Sequence, residues 1–225
     1  MTMKRITVLL AEDHEIVREG LQRLLLAEKD IEVVGVAATG RDAVTLAKKL
    51  RPDVIVMDIA MPLLNGLEAT RQVRKAIPGA RVLILSAHSD DAYVEQATAI
   101  GAMGFLLKQT SSHVLSEAIR AVQKGNTFFS PSITKRLHNQ KSPAGRPPLR
   151  KRVAHLSSRE MEVLQLIAEG EPNKQVAGEL GISIKTVEKH RQSLMQKLNI
   201  HDVAGLTRYA ISEGIIENSV QLTIV

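Results

Sequence analysis

Cysteine is absent from the 225 residues, which removes a disulfide framework, a thiolate zinc site and a cysteine nucleophile together. Aromatic side chains are nearly absent too, with no Trp, 2 Tyr and 3 Phe. Modules that hold single-stranded nucleic acid need exposed rings for base stacking, so the composition argues against that class. No uninterrupted apolar run approaches a membrane span. The N-terminus also lacks the basic start, apolar stretch and small-residue cleavage site of a signal peptide. A cytoplasmic protein without membrane association is the expectation. What is present, 44% hydrophobic residues over a length suited to two compact domains, supplies material for two cores.

Charge is spread unevenly. The net charge of +6 hides a first part, up to Ser130, with 16 basic and 15 acidic residues. Pro131 to His155 then carries seven basic residues and no acidic one, with four prolines and no apolar periodicity. Such a stretch cannot bury enough surface to fold alone and reads as a basic linker. Three parts follow: a first domain over 1–128, the linker over 129–155 and a second domain over 156–225. From Leu156 onward there are seven basic and nine acidic residues, so the second domain is net −2 while the linker holds the excess.

The first domain alternates strand and helix. Apolar runs of strand length occur at Ile6–Leu10, Ile31–Ala37, Val54–Met57 and Val82–Leu85, with a weaker fifth at Gly104–Leu107. Helical spacing appears at Ile16, Val17, Leu21, Leu24 and Leu25, at Ala43, Val44, Ala47 and Leu50, and at Val114 through Val122. Short buried strands alternating with helices predict an α/β doubly wound, five-stranded parallel sheet, and ligands of such folds bind at the carboxyl ends of the strands. The residues that follow the strands are Glu12 and Asp13, then Asp58, Ser86 and Lys108. Three carboxylates in a small volume repel one another unless a cation sits among them. Hard oxygen ligands suit Mg2+, and an opposing lysine and hydroxyl would complete a cage for a phosphoryl group. The inference is phosphoryl transfer to a carboxylate, with Asp58 as nucleophile. Taken singly, each residue has a plainer reading: Asp58 as a turn residue or cap, Glu12-Asp13-His14 as an acidic helix start, Lys108 as a surface charge. Their shared placement at one end of different strands favours the joint reading. No Gly-x-Gly-x-x-Gly follows the first strand, and Asp58-Ile-Ala60 lacks the second acid of a two-residue-spaced phosphatase pair, so both of those classes are disfavoured.

These residues carry a family resemblance. Val8-Leu-Leu-Ala-Glu-Asp-His14, Asp53 to Pro62, Asn65-Gly66, Leu85-Ser-Ala87 and Gly104-Phe-Leu-Leu-Lys108 together resemble a two-component receiver domain over roughly the first 125 residues. The resemblance implies that a histidine kinase phosphorylates Asp58 and that Glu12, Asp13, Asp58 and the Ala60 carbonyl hold Mg2+. It implies that Ser86 and Lys108 contact the phosphoryl oxygens and that Phe105 occupies an aromatic switch position, an ordinary buried core ring being the plainer alternative. Many receivers have proline after the lysine, often in a cis bond; Gln109 stands here, so no such bond is expected. No enzymatic activity is expected beyond the domain's own phosphorylation and slow to moderate dephosphorylation. Ala60 offers no side chain to position water, whereas His88 is a candidate for that task.

The second domain reads as all helix. Leu156-Ser-Ser-Arg-Glu160 suits a capping box, and Met161, Leu164, Ile167 and Ala168 give the first helix an apolar face. A short helix, Lys174 to Leu180, follows a break at Gly170-Glu-Pro-Asn173, with Asn173 expected to cap it. Gly181-Ile-Ser183 then turns into a longer helix, Ile184 to Leu198, whose buried stripe is expected to be Ile184, Val187, Leu194 and Leu198. Two helices across a glycine-containing turn form a helix-turn-helix signature, though helical hairpins without DNA-binding function are common. The outer face is basic and amide-rich, the chemistry that reads base edges in a major groove. Its positive charge is expected on one side: Lys185, Lys189, Arg191 and Lys197 against Glu188. With Thr186-Val-Glu-Lys-His190 and Lys197-Leu198, the pattern resembles the LuxR-type helix-turn-helix, and the whole chain resembles the NarL/FixJ family of response regulators. That resemblance implies base reading by Glu188, Lys189 and Gln192, and phosphate contacts by Lys185, Thr186, His190 and Arg191. It also implies double-stranded promoter DNA as ligand, a homodimer on activation through a last helix around Val203 to Ile211, and RNA polymerase as a further partner. Phosphorylation-independent DNA binding and a protein-interaction output remain as alternatives.

Overall fold

The computed structural model describes residues 5–87, 91–129, 133 and 156–216. The chain divides into two compact units, Met1–Arg146 and Pro147–Val225. His88, most of the basic linker and the tail from 217 lie outside the described residues.

The first unit runs β1 (Ile6–Ala11), α1 (Glu15–Leu26), β2 (Ile31–Ala37), α2 (Gly40–Leu50), β3 (Val54–Asp58), α3 (Gly66–Ala76), β4 (Val82–Ser86), α4 (Asp91–Ala99), β5 (Gly104–Leu107), α5 (Ser112–Gln123) and β6 (Phe128–Phe129). All neighbouring strands pair in parallel, in the order β2-β1-β3-β4-β5-β6. The winding reverses between β1 and β3, and at such a point the strand ends open a crevice. Each residue of β3 and β4 is buried, because helices cover both faces of the sheet. The pleat divides the core accordingly. Leu9, Ile55, Met57, Ile84 and Phe105 pack under α2, α3 and α4 through Ala47, Val73 and Ala97. Val8, Leu10, Val56, Leu83 and Leu106 pack on the other side under Leu25 of α1 and Ile119 of α5.

Three features depart from the sequence reading. The sheet has six strands rather than five: Phe128 and Phe129 pair beside Gly104 and Phe105, an edge too short for periodicity to register. On α1, Ile16 is 88% exposed and Leu24 is also exposed, so only Leu25 of that helix is fully buried. The helices α3 and α4 were not among the predicted segments, because small residues such as Ala69 and Ala97 carry much of their buried face. Side-chain caps fix the starts of α2 and α3, with Thr39 accepting from Asp42 N–H and Asn65 from Glu68 N–H.

The second unit contains α6 (Ser158–Ala168), α7 (Asn173–Leu180), α8 (Ile184–Leu198) and α9 (Val203–Ser212). The capping box at Ser157 and Glu160 is present in both directions. Rather than one apolar face, α6 buries every residue from Glu162 to Ile167 and forms the centre of the unit. Pro172, not Asn173, is the N-cap of α7 and makes no side-chain cap; Asn173 Oδ1 instead accepts from Arg191 Nη1 at 3.2 Å. Gly181 ends α7 in the left-handed region (φ 62°), which a residue without Cβ adopts freely, and Ser183 caps α8 through Thr186 N–H. Val187 and Leu194 are the fully buried side chains of α8, whereas Ile184 is exposed and Leu198 half-buried, so the expected stripe is shorter.

Candidate functional site

Each acidic or basic residue predicted for the rim sits at a strand end. Asp58 and Ser86 are the last residues of β3 and β4, while Glu12 and Lys108 directly follow β1 and β5, with Asp13 one residue further. Oxygens of Glu12, Asp13 and Asp58, with a ring nitrogen of His14, lie within 4.8 Å of one another. Lys108 Nζ stands 2.9 Å from Glu12 Oε2 and 3.0 Å from Asp58 Oδ2. Its backbone N–H donates to Ser86 O at 2.8 Å, tying the ends of β4 and β5.

The electrostatics follow from this crowding. Glu12, Asp58 and Ser86 are buried. Burial, and next the Glu12 carboxylate, push the Asp58 carboxyl up to about 7 against the pull of Lys108. Burial works against the Lys108 charge, but the two carboxylates hold its pKa above the ordinary lysine range. Asp58 Oδ1 accepts from Ile59 N–H at 2.8 Å. Glu12 Oε2, Asp13 Oδ1 and Asp58 Oδ2 are buried atoms that lack a well-aligned hydrogen-bond donor and are met instead by the ion-pair partners Lys108 Nζ and His14 Nδ1. Three such oxygens beside one another are hard donors, the set that suits a small divalent cation.

The loop after β3 is held tightly. Gly66 N–H donates to Ile59 O at 2.8 Å, and a Cβ at Gly66 would lie 1.8 Å from Asp58 O. The half-buried Ala60 lies in this loop, two residues past Asp58. Phe105 is wholly buried in β5, opposite Ile84 and Phe129. The bond from Lys108 to Gln109 is trans.

Two contributions escaped the sequence reading. Arg18 Nη1 donates to the backbone oxygens of Glu12 (2.8 Å) and Asp13 (3.0 Å), bracing the acidic loop from the first turn of α1. His14 Nδ1 lies 3.2 Å from Glu12 Oε1 and 2.9 Å from Asp13 Oδ1. No sequence pattern marks Arg18 apart from its position one helical turn after His14.

In the second unit, Lys185, Glu188, Lys189 and Gln192 are exposed along α8, and Thr186, His190 and Arg191 are half-buried. The expected single-sided positive face needs correction. Lys197 Nζ pairs with the buried Glu160 carboxylate at 2.6 Å, and Arg191 turns to Asn173. Glu160 Oε1 also accepts from Ser193 Oγ at 2.6 Å. One carboxylate thus caps α6 and holds α8 by two side chains, so Lys197, although exposed, is a paired cation, while Lys185 and Lys189 are exposed along the outer face.

Comparison with known proteins covers both units. Residues 8–120 match the response regulator receiver domain family, and residues 154–210 match the bacterial regulatory proteins of the luxR family. The chain is 38% identical to the transcriptional regulatory protein DegU of Brevibacillus brevis, over 93% of this chain and 94% of that one. It is 36% identical to the response regulator protein VraR of Staphylococcus aureus, over 94% and 99%. Among solved structures it is similar to the response regulator ChrA of a heme-sensing two-component system (32% identity, TM-score 0.52, 94% of this chain and 99% of that one). It is also similar to RcsB, in a structure of two dimers on two parallel DNAs (27% identity, TM-score 0.57, 93% and 99%). No helix among the described residues is long and apolar enough to cross a membrane.

Proposed function

The chain belongs to the two-component response regulators that join a receiver domain to a LuxR-type helix-turn-helix, and from this we propose that phosphorylation of Asp58 controls its binding to promoter DNA. The observation that carries the proposal is the convergence of Glu12, Asp13, Asp58 and Lys108 at the carboxyl ends of β1, β3 and β5, with the Asp58 carboxyl buried. Asp58 Oδ2 attacks the phosphorus of a phosphohistidine on a sensor kinase; the O–P bond forms, the P–N bond breaks and the imidazole leaves as a neutral ring, keeping the proton on its other nitrogen. Glu12, Asp13, Asp58 and the Ala60 carbonyl would hold Mg2+, and the crowding of three carboxylates within 4.8 Å supports that ligand set. Mg2+ supplies charge neutralisation of the phosphoryl oxygens when bound. Lys108 pairs with the phosphoryl group, and Ser86 donates its hydroxyl to it. Phe105 responds from the core behind them. The chain's own chemistry ends there, with slow hydrolysis of the phosphoaspartate.

The output follows from α8. Lys189 suits guanine O6 and N7, Gln192 adenine, and Glu188 the cytosine amino group, while Lys185, Thr186, His190 and Arg191 contact phosphates. One such module reads few bases, so useful specificity requires a homodimer on paired half-sites, with α9 as the dimer contact. Phosphorylation shifts the chain's population toward that form in the cytoplasm, where it meets its kinase, its promoter and RNA polymerase. The test compares DNA binding by wild type and Asp58→Ala with and without beryllofluoride and Mg2+, alongside radiolabelled transfer from a phosphorylated histidine kinase. Activation confined to the wild type is expected. Equal affinity throughout would make DNA binding independent of phosphorylation, and no shift on any duplex would point to a protein partner.

A further inference from the structure

The turn between β2 and α2 touches both loops that carry the acidic residues. On one side Ala37 O, at the end of β2, accepts from Glu12 N–H at 3.0 Å. On the other, Gly40, the buried first residue of α2, lies against Leu64 in the loop that leads from Asp58 to α3. A Cβ at Gly40 would stand 2.0 Å from Leu64 O and 2.9 Å from its carbonyl carbon. Gly40 does not have a left-handed φ, so close approach and not backbone conformation calls for glycine. Leu64 is itself held. Its N–H donates to Pro62 O at 2.8 Å, its side chain is buried, and Leu63 before it keeps a φ of 66°, which a bulky side chain rarely adopts. Gly66 N–H then returns to Ile59 O and closes the loop. In so tightly packed a loop a displacement at Leu64 reaches Ile59 and Ala60, beside Asp58.

We propose that Gly40 is a positioning residue for phosphoryl transfer: its contact with Leu64 fixes the Asp58–Ala60 loop against the turn that also holds Glu12. The inference rests on the phosphorylation reading of Asp58 and adds to it a residue that touches none of the reacting atoms. A Cβ keeps about 3 Å from backbone atoms, so any side chain at position 40 drives Leu64 and the start of α2 apart by about 1 Å. Misplacement of that size costs about a hundredfold where the reacting atoms must stand in line.

The test compares the full chain with three variants. Gly40→Ala forces the contact apart, and Leu64→Ala removes the buried anchor of the loop. Leu25→Ala removes an equally buried leucine on the opposite side of the sheet and controls for lost stability. Phosphorylation by phosphoramidate at saturating Mg2+ is followed per folded molecule, well below each Tm, and Mg2+ affinity is measured by calorimetry. Gly40→Ala is expected to react about 10–100-fold more slowly than wild type and to bind Mg2+ about tenfold more weakly. Leu64→Ala should lose about tenfold in rate, whereas Leu25→Ala should stay within about twofold of wild type in both measurements. A wild-type rate in Gly40→Ala would overturn the role of Gly40. Should Gly40→Ala not fold, Leu64→Ala decides: a wild-type rate there, or a loss no greater than that of Leu25→Ala, overturns the proposal. A wild type phosphorylated no better than Asp58→Ala would overturn the reading of Asp58 as phosphoacceptor, and this inference with it.

Discussion

The ammonium of Lys108 stands 3.0 Å from Oδ2 of Asp58, yet the buried carboxyl still titrates near neutrality, at about 7. Burial and the Glu12 carboxylate outweigh the lysine. The sign of the linkage is clear. Below the ordinary carboxylate range Asp58 is protonated whether folded or unfolded. Between that range and about pH 7 the folded chain keeps a proton that the unfolded chain releases, so stability falls as pH rises through this window. Asp58→Asn, which is neutral throughout, should match wild type near pH 3 and exceed it by several °C in Tm near pH 8, since about 1 kcal/mol moves Tm by roughly 2–4 °C at this size. Thermal unfolding at the two pH values checks this; the same gap at both would show that the Asp58 charge is not the cause.

Arg18 acts on the acidic loop through its backbone, donating to the Glu12 and Asp13 carbonyls. Its removal frees the loop while leaving every carboxylate in the chain. Arg18→Ala is expected to weaken Mg2+ binding about tenfold, as is usual when outer partners of a metal site are lost. A Mg2+ titration followed by the unfolding temperature tests it, and undiminished affinity would make Arg18 a helix-surface residue only.

At Gly66 the constraint is steric. A Cβ would meet Asp58 O at 1.8 Å and the Asp58 carbonyl carbon at 2.8 Å, both backbone atoms that cannot swing aside. Gly66→Ala should therefore destabilise the first unit by about 1–3 kcal/mol or more and displace the phosphoacceptor loop. Denaturant unfolding and metal titration should report both effects; an alanine variant with wild-type values in each would show that the loop yields.

Much of this was legible from residues alone, and the reasons differ by element. The strands of the first unit announced themselves because burial on both faces makes a run such as Val54–Met57 continuously apolar. Asp58, Glu12 and Lys108 followed, because a parallel sheet places its strand ends on one side. Burial of a helix by small residues left α3 and α4 unseen, and a two-residue strand gives no period to read. On α8 a helical wheel places Lys197 and Arg191 by angle alone. It cannot show that Glu160, 37 residues before Lys197, pairs with that charge, or that Asn173 accepts from Arg191. Contacts between distant segments decide such matters.

Glu160 binds α6 to α8 through Ser193 and Lys197. Burial pushes its carboxyl up, but Lys197, Ser193 and Ser157 together hold it down at about 2. Its contribution to stability is complete above the ordinary carboxylate range and is lost as pH falls through about 2. Glu160→Gln should lower the stability of the second unit by about 1–3 kcal/mol and weaken DNA binding by loosening the angle of α8. Lys197→Met, which removes the charge but keeps the stem, should cost less than Glu160→Gln because Ser193 and Ser157 remain. Equal losses would place the whole effect in the ion pair.

The division of charge between linker and second domain separates affinity from specificity. The second domain is net −2, and with Lys197 paired to Glu160 the outer face of α8 keeps Lys185, Lys189 and Arg191 against Glu188. Most nonspecific attraction to phosphates then comes from the seven cations between Pro131 and His155. Neutralising Arg150, Lys151 and Arg152 should flatten the dependence of log affinity on log salt by up to about three units, with base preference intact. Lys189→Ala should do the reverse, relaxing discrimination at one base pair by roughly 1–3 kcal/mol with a smaller change in slope. Binding to duplexes selected from random sequence, measured at several salt concentrations, distinguishes the two. An unchanged slope in the triple variant would make the linker a tether, and a uniform loss across sequences in Lys189→Ala would assign that lysine to the phosphates.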